Sequence, residues 1–288
     1  MNPNVDFQPP LGRVSAGPRE NSLSVNSDRP PQQDDPDPSA PATPAEREAT
    51  VRLLEADPEL GLRVPVSQIR RARAELRARV KFMPNGRWEV PHDRADRGRL
   101  GFLLLEGVLA RDLILAGSTC TELVGEGDVL QPWVPNDEDG LVRYHVLWHV
   151  LAPVRLAILD ETFARSLARW PQVMRALLER AVRRTSRMSV HQALLHLSPV
   201  ETRLLVLFWH LAERWGRVTP DGISIGLGIS HELLGQLVGS RRASVTTALG
   251  TINESGLVVR RADGTWLLRG SPPDELAEIH WERPVASG

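Results

Sequence analysis

The residues best suited to chemistry gather near the C-terminal end of the chain. In HELLGQLVGSRRASVTTALG (231–250), Ser240 and the adjacent Arg241 and Arg242 are followed by Ala243, Ser244, Thr246 and Thr247. Guanidinium groups chelate phosphate oxygens or a guanine edge and hydroxyls can meet either, so this set suits a nucleic acid. The other residues of the segment serve packing. Leu233, Leu234, Leu237 and Val238 recur at helical spacing, Gly239 supplies the flexible residue of a turn, and Val245 and Ala248 recur after it. Gly235 is small enough to let a second helix pack close. The pattern predicts a helix-turn-helix whose second helix presents its first turn to a DNA major groove, about 12 Å wide.

The next stretch adds to this. Leu257–Arg261 and Thr265–Arg269 are β-type runs joined by Ala262-Asp263-Gly264, and Asp-Gly between such runs predicts a hairpin. A hairpin placed there is a wing, which sets Arg260, Arg261 and Arg269 near the phosphate backbone. The charge is segregated accordingly. Residues 171–271 hold 13 arginines against 7 acidic residues, a net of +6, whereas residues 1–60 hold 5 against 11, a net of −6. The formal charge of −1 over all 288 residues therefore hides a basic C-terminal part and an acidic N-terminal one, as in a nucleic-acid binder. Lys81 is the only lysine among 35 basic residues, a bias explained first by a GC-rich genome.

Other reactive groups are scattered. Cys120 is the only cysteine, which excludes an internal disulfide or a Cys-rich metal centre and reads as a buried thiol. His145 and His149 stand four apart in an apolar run, about 13 Å along a strand, and no third ligand accompanies them. His231-Glu232 lacks the second histidine of a zinc-protease motif and reads as the start of a helix capped by Ser230. No catalytic constellation, metal site or cofactor is expected.

The elements around these residues fall into five parts. Residues 1–44 carry 10 of the 23 prolines and cannot bury enough apolar surface to offset their ordering entropy, so a disordered tail is expected. Residues 45–160 predict an antiparallel sandwich or barrel. A short helix at 45–57 and mixed helix and strand at 67–82 lead to a turn at Asn85-Gly86, and apolar runs separated by Gly, Pro, Asn and Asp follow from 100. Residues 161–196 predict a long linking helix, with Pro171 in its first turn and Val173, Leu177, Leu178, Ala181, Val182 and Met188 on one face. Arg175, Glu179, Arg180, Arg183, Arg184 and Arg187 fall on the opposite face. Ser198-Pro199-Val200-Glu201 predicts a capping box opening a helix to Trp215. Residues 197–272 then form the winged helix, and 273–288 a C-terminal tail. The fold class is α+β. No run approaches the roughly 20 apolar residues of a membrane helix, and no leader is evident, so a cytoplasmic protein is expected.

GQLVGSRRASVTTAL followed by GLVVRRADGTWLL resembles the winged-helix end of the Crp/Fnr transcription regulators, and the order of roll, long helix and winged helix matches theirs over residues 60–270. The resemblance implies sequence-specific binding of double-stranded DNA by a homodimer formed along the long helix, at a palindromic operator with half-sites one helical turn apart. That family's recognition helix commonly carries Arg, then Glu, then a later Arg. Arg242 matches the first, Ala243 replaces the Glu and Thr247 the later Arg, so base preference does not carry over. Gly125-Glu126-Gly127-Asp128 resembles the turn ahead of the family's cyclic-nucleotide phosphate cassette. Pro132-Trp133-Val134-Pro135 and the acids 137–139 stand where the cassette is expected, and acids repel a phosphate. The expectation is a regulator unresponsive to cyclic nucleotide. Glu126, Trp133 and Arg143 remain the candidates for another small-molecule effector, with Arg155 as a further loose cation. Trp133, Tyr144 and Trp148 could line a pocket, though they suit core packing better. The alternative is a cupin-like small-molecule-binding barrel whose winged helix serves protein interaction.

Overall fold

The computed structural model describes residues 49–90, 100–132 and 141–272. The expected N- and C-terminal tails, Trp133 and the acidic run 137–139 lie outside the described residues. Everything below concerns the compact unit that begins at Arg47.

The chain opens with strand β1 (Ala49–Arg52), one helical turn α1 (Leu53–Ala56) and a 3-10 turn (Pro58–Gly61). Of the helix expected over 45–57, the described part is half strand (49–52) and half helical turn (53–56). Ala49 to Arg52 pair antiparallel with Val80 to Arg77, and sheet bonds outweigh the weak preference of a short helix. Helix α2 (Val66–Glu75) and strand β2 (Arg77–Met83) resolve the mixed stretch, and β3 (Gly86–Trp88) follows Asn85. Strands β4 (Gly101–Leu115), β5 (Ser118–Gly125), β6 (Val129–Leu130) and β7 (His145–Leu159) complete an antiparallel sheet in the order β1-β2-β7-β4-β5, with β3 on β7 and β6 on β4.

Two 15-residue strands can close a roll only if they bend. The β4–β7 register shifts at Leu104/Glu106, Glu106/Val108 and Val108/Leu109, where bulges increase the local twist. Gly107 makes this possible. Its φ is +93°, and an added Cβ would lie 2.2 Å from the Pro153 carbonyl oxygen. Buried residues alternate along β7 (Trp148, Val150, Val154, Leu156) and meet Phe102, Leu104, Leu109, Val124 and Leu130 inside, as the period of two requires. Trp148 stands edge-on to Trp88 at 5.7 Å, so it fills the core.

After β7 the chain turns helical. Asp160 caps α3 (Glu161–Leu167), accepting from the Phe163 amide at 2.9 Å. The long helix α4 (Pro171–Leu195) starts at the expected proline. Val173 and Leu177 enter the roll's core beside Phe163, Leu167 and Trp170. Next comes α5 (Val200–Trp215). The expected capping box does not form: Pro199 occupies the cap position and no side chain caps the helix. The hairpin β8 (Gly216–Thr219) and β9 (Gly222–Ile225), the helices α6 (His231–Leu237) and α7 (Arg242–Glu254), and the strands β10 (Val258–Arg260) and β11 (Trp266–Leu268) complete the chain. The last four strands form a second sheet, β10-β11-β9-β8. A separate core joins Leu204, Phe208 and Leu211 of α5 to Leu234 and Leu237 of α6, Val245, Ala248 and Ile252 of α7, and Trp266 of β11. No described helix is long and apolar enough to cross a membrane.

Candidate nucleic-acid interface

Helices α6 and α7 owe their relation to small residues and borrowed caps. An added Cβ on Gly235 would lie 2.7 Å from the Ser240 carbonyl oxygen, so only glycine admits the turn this close. Gly239 takes φ +59°, open to glycine at no steric cost. Ser230 caps α6, its hydroxyl accepting from the Leu233 amide at 3.1 Å. At the other end of α6, Arg203 donates to the Val238 carbonyl at 2.8 Å, and His191 of α4 lies 2.6 Å from the Leu237 carbonyl. Carbonyls left over by the helix ladder are thus satisfied by side chains of α4 and α5. Sequence reasoning had no signal for either contact, because each spans more than thirty residues.

Helix α7 divides cleanly. Val245, Ala248, Leu249 and Ile252 are buried. Arg241, Arg242, Ala243, Ser244, Thr246 and Thr247 are exposed, and Ser240 is half-buried. Ser240 and Arg241 precede the helix, with Arg241 at its cap position. The two arginines therefore flank the positive end of the helix, where orphan N–H groups also favour an anion. Thr246 is less free than its exposure suggests. Its hydroxyl lies 3.0 Å from the Arg242 carbonyl and 3.0 Å from His231 Nδ1. Burial, then the charges of Arg260 and Arg242, hold the His231 pKa below its ordinary value.

The wing is built as its sequence predicts. Val258 pairs with Leu268 and Arg260 with Trp266. Gly264 turns the chain at φ +83°, and the Asp263 carboxylate accepts from the Thr265 amide and hydroxyl at 2.9 and 2.7 Å. Those bonds lower the Asp263 pKa. The arginines differ. Arg260 lies over the Trp266 ring, 5.5 Å from its centre, Arg261 pairs with Asp221 of the β8–β9 turn at 3.0 Å, and Arg269 is exposed.

No family model matches this sequence. The global nitrogen regulator of Synechococcus elongatus is 28% identical over 116 residues, 40% of this chain and 51% of that protein. Its counterpart from Synechocystis is 35% identical over 57 residues, 20% of this chain and 25% of that protein. The chain thus spans about half, or less, of these curated relatives. Among solved structures, a transcriptional regulator of the CRP family from Thermus thermophilus superposes over 65% of this chain and 91% of its own, with TM-score 0.50 and 18% identity. The c-di-GMP-responsive global regulator CLP of Xanthomonas campestris gives TM-score 0.52 at 18% identity, covering 72% of this chain and 100% of its own. A protein with a cyclic-nucleotide-binding domain from Listeria monocytogenes gives 0.54 at 14%, covering 65% and 87%.

This chain has the Crp/Fnr fold.

Within that fold Glu126 and Arg143, the two described candidates for an effector, do not gather. Glu126 is exposed in the β5–β6 turn and Arg143 is exposed ahead of β7. Gly125 pairs with Val108, and His145 with Ile114, which puts the two about six residues, or about 20 Å, apart along β4. Arg155 pairs with Glu106. The turn itself is occupied from within: Arg180 donates to the Gly127 carbonyl at 3.3 Å and Arg214 to the Glu126 carbonyl at 2.7 Å.

Three arginines of α4 depart from expectation. Arg180, Arg184 and Arg187 point at the roll rather than away from it. Arg180 grips Asp57 and Glu59, Arg184 forks onto Glu122 at 2.7 and 2.8 Å, and Arg187 pairs with Asp128. Ion pairs hold this part of the helix where an apolar stripe would be expected. The only hint in the sequence was that 180, 184 and 187 continue the spacing of Val173 and Leu177. Leu178 and Val182 conversely face outward, 64% and 58% exposed.

Cys120 is exposed on β5, not buried. Desolvation, then Glu122, raises its thiol pKa, which disfavours the reactive thiolate. His149 lies 3.5 Å from Asp112. Among the described residues no three His, Cys, Asp or Glu side chains converge on a metal position.

Proposed function

We propose that the chain is a sequence-specific regulator of Crp/Fnr type that binds double-stranded DNA as a homodimer, with the start of α7 in the major groove. The single observation that carries this reading is the division of α7. One face is packed into the winged-helix core, while Arg241, Arg242, Ala243, Ser244 and Thr247 face solvent beside a free helix start. Arg241 and Arg242 contact phosphate or guanine, Ser244 and Thr247 add hydroxyl contacts, and Arg260, Arg261 and Arg269 bring positive charge to the flanking backbone. Arg261 does so less strongly than Arg269, because Asp221 already neutralises it.

The dimer forms along the outward face of α4, where Met174, Leu178, Val182 and Val190 are 40–64% exposed. Burying such a row against a second copy removes apolar surface from water and aligns two winged helices for half-sites about 34 Å apart. The operator is then palindromic, and the protein acts in the cytoplasm. The domain boundaries 45–160, 161–196 and 197–272 suit this division of labour. Cyclic nucleotide is not the expected effector, since the acids 137–139 stand in sequence where the phosphate cassette is expected and acids repel a phosphate. Any other effector using both Glu126 and Arg143 would need to bring distant parts of the roll together. A cupin-like role finds no support in the filled interior of the roll.

Selection of duplex fragments from the source genome tests this function. The intact chain is expected to enrich a two-fold symmetric site, and the Arg241→Ala/Arg242→Ala variant, folded as before, to lose it. Equal enrichment by both proteins would overturn the assignment.

A further inference from the structure

The roll and the winged helix meet at the turn after β5, and one carboxylate ties three elements together there. The Asp128 side chain is 3% exposed. It accepts from its own turn (the Gly125 amide, 3.0 Å), pairs with Arg187 of α4, and accepts from Arg214 of α5 at 2.7 Å. Around it the contact is close but small. Arg214 lies 4.9 Å from the centre of the Trp215 ring. That ring covers Gly125 so tightly that an added Cβ would sit 2.8 Å from Trp215 Cζ2. Leu123 of β5 packs against the winged-helix core, and Thr121 reaches Gln236 of α6 at 3.4 Å.

These three elements are the ones whose mutual angle matters most to a dimeric reader of DNA. Helix α4 carries the dimer face, α5 packs against α7, and the roll is the body against which both are braced. Residues 196–199, which are neither helix nor strand, join α4 to α5, and side-chain contacts add to that link in setting the angle between the helices.

We propose that Asp128 is a positioning residue for DNA recognition: by holding Arg187 and Arg214 at once, it locks the winged helix to α4 and thereby sets the distance between the two recognition helices, hence the half-site spacing. This rests on the DNA-binding reading above. A carboxylate suits the task because it accepts several charge-assisted bonds at once. Arg187 and Arg214 are themselves 35% and 17% exposed, so neither finds full solvation when the acid is removed.

Two measurements on the full chain test it. The first is selection from random duplexes, followed by affinities for an isolated half-site and for the palindrome. Asp128→Asn is expected to keep the half-site sequence and its affinity within about 2-fold, to lose at least about 10-fold on the palindrome, and to broaden the accepted spacing. Arg214→Gln should behave alike, the double variant no worse than either single one, and Arg214→Lys should recover the sharp spacing. Gly125→Ala, which displaces Trp215 and with it the Arg214 stacked on that ring, is expected to give the same broadening. An unchanged spacing in Asp128→Asn overturns the proposal, as does an equal loss on half-site and palindrome.

The second measurement needs no DNA. A spin label on Cys120, the exposed and only cysteine, and one on Thr251→Cys of the exposed α7 face report the roll-to-helix distance within one chain diluted with unlabelled protein. A narrow distribution that widens in Asp128→Asn is expected, and an unchanged width rejects the lock. A wild-type chain that shows the narrow distribution yet binds no duplex contradicts the DNA-binding reading alone.

Discussion

At Arg242 extended backbone becomes helix, and the chemistry of the surface changes within one turn. Arg241 and Arg242 have exposed side chains, while Val245 directly behind them is completely buried. Substituting either arginine therefore removes charge without opening a cavity. Arg242→Ala is expected to weaken binding to a selected operator by about 10-fold, at the lower end of the range for a specific contact, with an unchanged melting temperature. Fluorescence anisotropy and a thermal melt check the two halves of that statement. Thr246→Val should cost less than about 3-fold in the same titration, because its hydroxyl is already engaged by the Arg242 carbonyl and His231; a loss equal to that of Arg242→Ala would place Thr246 on the DNA instead. The exposed placing of Arg241 and Arg242 at the start of α7 was legible in the sequence because a local pattern of Leu, Gly and Val frames them. Asp128, Arg184 and Arg187 were not, since each partner lies about sixty residues away and one sequence carries no trace of such pairing.

Helix α4 shows why a helical pattern reads more easily than its orientation. Leu177 and Leu178 are neighbours, yet Leu177 is 6% exposed in the roll's core and Leu178 is 64% exposed. Both lie within an apolar stripe wide enough to face two ways, and the arginines at 180, 184 and 187 disguise the inner face as a solvated one. Leu178→Asp is expected to give a folded monomer by analytical ultracentrifugation. Leu177→Asp should instead destabilise the roll by more than about 3 kcal/mol, since it strands a charge in a packed interior; a stable monomer from Leu177→Asp would reverse the two faces. The capping box at Ser198 failed for a comparable reason: Pro199 took the cap position that the pattern reserved for serine.

His210 on α5 adds a pH dependence at the same scale. Burial pushes its pKa below the ordinary value, Glu213 opposes this, and His191, Arg187 and Arg214 reinforce it. A depressed folded value means that the unfolded chain binds the proton more readily. The stability is complete above about pH 6.5 and is lost as the pH falls through the depressed value. Melting temperature should accordingly drop on acidification below that point, and His210→Gln should shallow the slope. His231, depressed mainly by burial, adds the same sign and remains in the variant. An identical slope in the variant would remove His210 from the account.

At the scale of the molecule, composition showed the direction of the charge and pattern showed the order of parts. The roll, long helix and winged helix follow from strand alternation, helical spacing and the Asp-Gly turn. What the sequence could not supply was how the parts are bolted together: the bends at Gly107, the arginine clamps of α4, and the turn at 125–128 that braces the winged helix. These depend on contacts between elements, each contributing single residues without a period. The most direct test of the whole reading is the affinity of the intact protein for its selected duplex across a salt series. Each phosphate neutralised should contribute about 0.9 to the slope of log affinity against log salt. The intact chain is expected to bind with a steep slope, and Arg241→Ala/Arg242→Ala, two arginines lost from each half of a dimer, to lower it by up to about 3.6. Binding that is insensitive to salt, or a double variant with the slope of the intact chain, would contradict a recognition helix seated on DNA.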